Sequence, residues 1–417
     1  MRHVIIGNGP AGVVAAETLR KTDRGAKITL IGDEPEPPYS RMALPYLMMG
    51  DIDEAGTYLR KDAGHFARLM IDLRHDRVEG VDAPARSIRL ASGASLGYDR
   101  LLIAAGSHPI RPDIPGIDLP GVHACWTMED ARRIIARAVP GSRVLQIGAG
   151  FIGCIIMEAL QSRGVALTVV EMGDRMVPRM MTPAAGAMIR KWCEKQGVRV
   201  HVATRVTAIG KASGGRAALS ARLDSGEELE AETLIVAAGI RPNVDFLRGS
   251  GVACETGVVV DAAMQTNIPG IYAAGDVAAA IDFSTGVRGV NAIQPSAVEQ
   301  ARVAALNMAG RRVESRGALT LNVLDTVGLV STSFGQWWGE PGGQGVELID
   351  EPAFRYLSLQ FRGDVLIGAT SIGLTEGVGV LRGLIEGRVR LGPWKDRLLQ
   401  RPLEFAEAYL ARAQAAA

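Results

Sequence analysis

Two glycine clusters carry the chemistry that can be read directly from the chain. Gly7, Gly9 and Gly12 stand in Gly7-Asn8-Gly9-Pro10-Ala11-Gly12; Gly148, Gly150 and Gly153 stand in Gly148-Ala149-Gly150-Phe151-Ile152-Gly153. At this spacing the first glycine permits a tight turn, the second lets a pyrophosphate approach the backbone, and the third lets helix and strand pack closely. A carboxylate about 20 residues on accepts a hydrogen bond from a ribose. Asp33, with Glu34 as the alternative, holds that place after the first cluster, and Glu171 after the second. The chemistry defined is dinucleotide binding.

The elements that must position these residues are present around both clusters. Residues 3–6 are an apolar run before the first cluster, 13–21 have helical spacing, and 27–31 form a second apolar run before Asp33. The same order returns with residues 143–147, 154–163 and 167–170. One such motif is weak evidence, since an ordinary glycine loop also matches it. Two, each framed by strand, helix, strand and acid, argue against coincidence. The helix N-termini add free N–H groups and a positive dipole end for phosphates. Two dinucleotide folds imply two dinucleotides, and flavin with nicotinamide is the pair between which hydride passes.

Composition narrows the remaining classes. The chain has 417 residues, enough for two to four domains. Its 46 basic and 45 acidic side chains leave a net charge of +1, which argues against nucleic-acid binding by bulk electrostatics. Glycine is the outlier at 50 of 417, about 12% against an average of about 7%. The most apolar long stretch, residues 144–160, is interrupted by Gln146, glycines and Glu158, so no membrane span is expected. Residues 1–6 show no leader pattern. Cys125, Cys154, Cys193 and Cys254 are far apart with no metal-ligand spacing, which suits reduced thiols in a cytoplasmic protein. The histidines form no ligand spacing either, and no metal site is expected.

Beyond the two clusters, the chain resembles the FAD-dependent pyridine nucleotide–disulfide oxidoreductases. The segment Asp99-Arg100-Leu101-Leu102-Ile103-Ala104-Ala105-Gly106 looks like the point where such a chain leaves its flavin domain. Residues 232–243, with Ala238 and Gly239, look like its return, and residues 266–276, with Gly275 and Asp276, resemble the second FAD motif. The resemblance implies an α/β fold with two Rossmann-like domains. An FAD-binding domain at 1–112 and 238–314 holds an inserted NAD(H)-binding domain at 113–237, and a C-terminal α+β interface domain follows at 315–417. In that last part the pattern suggests strands at 323–332 and 355–361 and helices at 377–386 and 402–413. The implied cofactor contacts for FAD are Gly7, Gly9, Pro10, Ala11, Gly12, Asp33, Glu34, Arg41, Ala105, Gly106, Gly275, Asp276, Gln294 and Pro295. For NAD(H) they are Gly148, Gly150, Phe151, Ile152, Gly153, Glu171, Ala238 and Gly239.

Two departures from the family pattern matter. In Tyr39-Ser40-Arg41-Met42-Ala43-Leu44-Pro45-Tyr46, Met42 stands where single-cysteine relatives carry their cysteine. A thioether forms no thiolate and no mixed disulfide, so Met42 reads as a packing residue beside the flavin. Ile155 and Tyr46 stand where relatives carry Glu and Lys, and both charges are lost together. The segments 39–46, 291–300 and 394–399 resemble NADH:acceptor reductases, including rubredoxin reductases and flavin subunits of multi-subunit aldehyde and oxoacid oxidoreductases. The resemblance implies an enzyme with no catalytic side chain beyond the flavin, exchanging hydride with NAD(H) and single electrons with an iron–sulfur subunit or carrier. A stand-alone NADH oxidase and a non-catalytic redox sensor or assembly subunit are the alternatives, and a homodimer is the competing assembly. Trp337, Trp338 and the basic stretch 388–401 are the candidate partner contact.

Overall fold

The computed structural model describes residues 1–213 and 218–413. It forms two compact units, Met1–His108 with Ile240–Ala318, and Pro109–Gly239 with Leu319–Ala417.

The first unit is built on a five-stranded parallel sheet. Its order is Ile271–Ala273, Arg100–Ile103, Arg2–Ile6, Lys27–Gly32, Ile71–His75. A sheet covered on both faces needs continuous apolar strands rather than alternating ones. Accordingly Val4, Ile5, Ile6, Leu30, Ile31, Leu101 and Leu102 are all buried. The helices Pro10–Thr22 and Gln294–Met308 cover part of this core through small residues, Ala15 and Ala16 on one and Ala301 and Ala304 on the other. A three-stranded antiparallel sheet, Val78–Asp82, Ser87–Leu90 and Ser95–Gly97, lies in the chain between the outer strand and the returning Arg100–Ile103.

The second unit repeats this plan. Its parallel sheet runs Val122–Ala124, Thr233–Val236, Arg143–Ile147, Ala166–Val170, Arg199–His201. The antiparallel insertion recurs as Val206–Lys211, Leu219–Leu223 and Glu228–Ala231. Even the register is shared. Ile6 pairs with Ile31 and Ile103, and Ile147 pairs with Val170 and Val236. The repeat read from the glycine clusters thus extends over a whole parallel sheet with its antiparallel insertion.

The rest of the second unit is a five-stranded antiparallel sheet in the order Leu321–Thr326, Leu329–Gly335, Val365–Ile372, Arg355–Arg362, Gln344–Asp350. The helices Val378–Glu386, Pro393–Gln400 and Phe405–Ala413 follow. The expectation of one strand over 323–332 is corrected to a hairpin. Val327 and Gly328 take φ of +53° and +82°, the left-handed pair that a two-residue hairpin turn requires. Valine rarely adopts this conformation, so composition conceals the turn. Asp325 accepts the Gly328 N–H at 2.8 Å, and the Trp192 indole donates to Val327 O at 2.8 Å. Within the same unit Thr182 hydrogen-bonds the buried Tyr356 hydroxyl at 2.6 Å, and Lys191 pairs with Glu351. The helix expected at 402–413 begins later, at Phe405, after a single 3₁₀ turn over Pro402–Glu404.

Trp192→Phe would leave the carbonyl of the buried Val327 without its donor. The variant should lose about 1–3 kcal/mol of stability. A thermal melt unchanged from the parent would show that the turn does not depend on this bond.

Candidate functional site

The three glycines of each cluster have distinct surroundings. A Cβ on Gly7 would stand 2.1 Å from Ala104 O, and one on Gly12 would stand 1.8 Å from Gly7 O. In the second repeat a Cβ on Gly148 would stand 2.4 Å from Ala237 O, and one on Gly153 2.4 Å from Gly148 O. Gly7 and Gly148 also hold φ of +102° and +101°, a region that side chains disfavour. The middle glycines differ, because a Cβ on Gly9 or Gly150 would meet nothing within 4 Å. The turn glycines are forced by the protein's own backbone, and the middle ones leave open space.

That space lies at two helix N-termini. Gly9 and Gly150 are the N-caps of Pro10–Thr22 and Phe151–Ser162, and neither helix has a side-chain cap. By contrast Thr127 and Asp130 form a full capping box on Met128–Arg137, and Thr182 caps Pro183–Lys195. The first intrahelical bonds are Val13 N–H to Gly9 O and Cys154 N–H to Gly150 O. Amides at Ala11 and Gly12, and at Phe151 and Ile152, precede them. Pro10 at the first helical position contributes no N–H and pre-sets the helical φ. An open cradle, uncapped amides and a positive dipole end are the donor set that a pyrophosphate requires. The residues present therefore fit a dinucleotide in each repeat.

The strand ends differ between the repeats. Gly7 N–H bonds Ile31 O and Gly148 N–H bonds Val170 O, so Gly32 and Glu171 occupy equivalent places. Glu171 is buried, and its carboxylate accepts the Ala149 N–H at 2.7 Å and the Gly173 N–H at 2.6 Å. Asp33 and Glu34 lie one and two residues past the equivalent place. Asp33 is exposed. Glu34 accepts from the Tyr39 hydroxyl and from Arg41, both at 2.6 Å. Two sequence-predicted contacts, Glu34 and Arg41, are thus paired with each other. Arg175, four residues past Glu171, donates to Met181 O at 2.9 Å, to Pro178 O at 3.2 Å and to Asp174 at 2.7 Å.

Around Asp276 the first unit gathers several predicted residues. Ser107 donates to the Asp276 carboxylate at 2.8 Å. Burial pushes this carboxyl up, opposed by the Ser107 bond and the Arg41 charge. Gly275, with φ of +80°, donates its N–H to the buried Gln300 at 2.9 Å. A Cβ on Gly275 would touch those of Ala11 and Ala297 at 3.3 and 3.5 Å, so the two helices and this turn approach through their smallest residues. Gln294 accepts from Ser40 at 2.9 Å, and Pro295 sits in the first turn of an uncapped helix. Asn243 donates to Ala105 O at 2.8 Å, and its N–H bonds Gly106 O. Gly106 and Gly239 hold φ of +66° and +102° just past the returning strands, and Ala238 lies beside Gly239. Ser107, Gln300, Ser40 and Asn8 escaped sequence reasoning. Each had a signal in its place, Ser107 directly after Ala105-Gly106 and Asn8, Ser40 and Gln300 inside the first glycine cluster and the segments 39–46 and 291–300.

The residues that depart from the family pattern and the cysteines are also placed. Met42 and Tyr46 are exposed, at 49% and 53%, and Ile155 is half-buried. Burial pushes the Cys125 and Cys193 thiols up to about 12, and Cys154 rises for the same reason. All four cysteines are free thiols. Among the described residues no group of three or more His, Cys, Asp or Glu is placed to hold a metal, and no helix is long and apolar enough to cross a membrane. Trp337 is a buried core residue, whereas Trp338, edge-on to it, is 56% exposed. The basic stretch 388–401 is largely neutralised locally. Arg390 pairs with Asp364, Lys395 with Asp396, and both Arg397 and Arg401 with Glu404.

Comparison with known proteins agrees with this geometry. Residues 1–306 match the pyridine nucleotide-disulphide oxidoreductase family. The epsilon subunit of NADH-dependent phenylglyoxylate dehydrogenase from Aromatoleum evansii is 33% identical over 406 residues, covering 96% of this chain and 95% of its own. An NADH oxidase of Methanocaldococcus jannaschii is 32% identical over 339 residues, covering 77% of this chain and 72% of its own. The crystal structure of a ferredoxin reductase from Rhodopseudomonas palustris superposes with a TM-score of 0.83 at 27% identity, covering 91% of this chain and 93% of its own. The chain belongs to the pyridine nucleotide-disulphide oxidoreductase family. It is an oxidoreductase of α/β fold that uses FAD and NAD(H).

The contrast between turn and cradle glycines is testable. Gly7→Ala should unfold the first unit or lower its melting point strongly. Gly9→Ala should melt within a few degrees of the parent yet bind FAD at least about tenfold more weakly, because its methyl enters the phosphate cradle. Equal effects of the two substitutions on stability would contradict the assignment.

Proposed function

We propose that the chain is the flavin-bearing reductase, or reductase subunit, of a system in which NAD(H) exchanges hydride with FAD and an iron–sulfur protein exchanges single electrons with it. The observation that carries this reading is the duplicated nucleotide fold combined with Met42 in place of a family cysteine. One chain offers two dinucleotide cradles, and no thiolate stands ready to pass electrons within it. FAD supplies the step from two-electron to one-electron transfer when bound. The chain's own residues bind and orient. The first repeat with Asp276, Ser107, Gln294 and Pro295 serves FAD, and the second repeat with Glu171 serves NAD(H). In this reading the FAD domain comprises 1–112 and 238–314, the NAD(H) domain 113–237, and the interface domain 315–417.

The relatives support the iron–sulfur partner, since one is named as a subunit of a multi-subunit dehydrogenase and another as a ferredoxin reductase. Their names leave the direction of electron flow open. The contact surface is better sought at Trp338 than in the stretch 388–401, whose charges are largely satisfied by Asp364, Asp396 and Glu404. A stand-alone NADH oxidase is the second reading, supported by the Methanocaldococcus jannaschii relative.

Specificity for NAD(H) over NADP(H) follows from Glu171. A buried carboxylate at the strand end repels a 2′-phosphate. Arg175, four residues on, would have to abandon two carbonyls and Asp174 to answer one. Catalytic efficiency, kcat/KM, with NADH should exceed that with NADPH by at least about tenfold; comparable values would refute this role for Glu171.

The purified protein should be yellow with non-covalent FAD, and NADH should bleach it anaerobically. Added oxidised ferredoxin or rubredoxin should restore the colour far faster than air. Changing all four cysteines to serine should leave the rate of bleaching within about threefold, since thiols held protonated by burial are poor nucleophiles. Reoxidation by air alone, with no response to iron–sulfur carriers, would favour the oxidase reading. Loss of bleaching in a folded, FAD-replete cysteine-free variant would return a cysteine to the mechanism.

A further inference from the structure

The two repeats share sheet order and register, and this makes one exchange of side chains conspicuous. The residue between the first two glycines is Asn8 in the first repeat and Ala149 in the second. The strand-end residue is Gly32 in the first and Glu171 in the second, equivalent because Gly7 N–H bonds Ile31 O as Gly148 N–H bonds Val170 O. The polar group has changed sides of the same gap. In the second repeat a carboxylate reaches from the strand end to the loop and takes the Ala149 N–H at 2.7 Å. In the first, the carboxamide of Asn8 reaches from the loop to the strand end. A Cβ on Gly32 would stand 2.2 Å from its Cγ, 2.2 Å from its Nδ2 and 2.6 Å from its Oδ1. Gly32 is glycine because Asn8 lies over it.

The loops are also held differently. Ala149 is fixed at both ends, by Glu171 at its N–H and by the Val177 N–H at its carbonyl, 2.8 Å away. Among the described residues, neither the carboxamide nor the backbone N–H of Asn8 has a hydrogen-bond partner. An amide side chain presents two donors and an acceptor, and these are the groups a vicinal diol satisfies. The strand-end place is the one from which a dinucleotide fold addresses the ribose.

Taking as given that the first repeat binds FAD, we infer that Asn8 is the ribose-recognising residue of that repeat. Its carboxamide replaces the strand-end carboxylate and hydrogen-bonds the diol of the FAD adenosine ribose. Asp33, exposed and one residue further along, is not the equivalent of Glu171. The electrostatics explain why the exchange is tolerated in this repeat. FAD carries no 2′-phosphate variant to be rejected, so negative charge at this place has no selective use. It would only oppose the two charges of the pyrophosphate nearby. A neutral amide recognises the same hydroxyls without that repulsion.

The test uses the full chain stripped of flavin, with FAD titrated by its fluorescence and ADP added as a competitor for the adenosine end. Asn8→Ala installs the residue that the second repeat itself carries, so the loop accepts it. Circular dichroism and the melting point should match the parent. Asn8→Ala is expected to weaken FAD about tenfold, the order of one to two hydrogen bonds, and to weaken ADP competition by the same factor. The double variant Asn8→Ala with Gly32→Glu recreates the arrangement of the second repeat and should recover FAD affinity to within about threefold. Affinity of Asn8→Ala for NADH should be unchanged. FAD binding within twofold of the parent, or a loss of FAD affinity with ADP competition unaltered, would overturn the inference. Failure of the parent chain to bind FAD would instead remove the reading of the first repeat on which it rests.

Discussion

The rest of the structure depends on the close approach of a glycine Cα to a carbonyl just past the end of the returning strand. Ala104 O faces Gly7 and Ala237 O faces Gly148, each leaving no room for a methyl group. This contact sets how near the returning strand comes to the glycine turn. The turn in turn fixes where the helix starts, and the helix start fixes where the open cradle at Gly9 or Gly150 lies. Backbone on backbone is the tightest packing available to a chain, and only glycine permits it. The nucleotide sites are therefore by-products of a packing solution used twice, which is why the two sheets share both strand order and register.

On that common frame the side chains divide the labour. The second repeat places a buried carboxylate whose oxygens are already occupied by two backbone amides, so it is oriented before any ligand arrives. A pre-oriented charge discriminates well, because the ligand does not have to organise it. The first repeat has no such charge beside its loop. Its acidic group of note is Asp276, just past the edge strand Ile271–Ala273, its pKa raised by burial, a rise opposed by the Ser107 bond. In the proposed assignment, the second repeat selects between similar cofactors and the first retains one.

The C-terminal part follows a different logic. Its sheet is antiparallel, and its outer strand Gln344–Asp350 is half exposed, as an edge strand should be. Its basic residues look like a docking stretch when read in order along the chain. In three dimensions most meet acids from neighbouring turns, and exposed pairs of this kind contribute little to stability. What remains outward is Trp338, held edge-on against the buried Trp337.

The sequence by itself marked the two repeats of strand, glycine turn, helix and strand, and the glycines that those turns require. Those features depend on short-range rules: apolar runs, helical spacing, and the steric freedom of glycine over a few positions. Tertiary structure decided which polar groups meet. Ser107 reaches Asp276 across 169 residues and Ser40 reaches Gln294 across 254, and no local pattern encodes such pairs. It also decided that Glu34 and Arg41 satisfy each other, and that Val327 turns a hairpin against its propensity. Above all it set Gly32, and not an acidic residue, in the place equivalent to Glu171. Counting residues from a motif cannot fix register to one position, whereas the hydrogen bonds of parallel strands do.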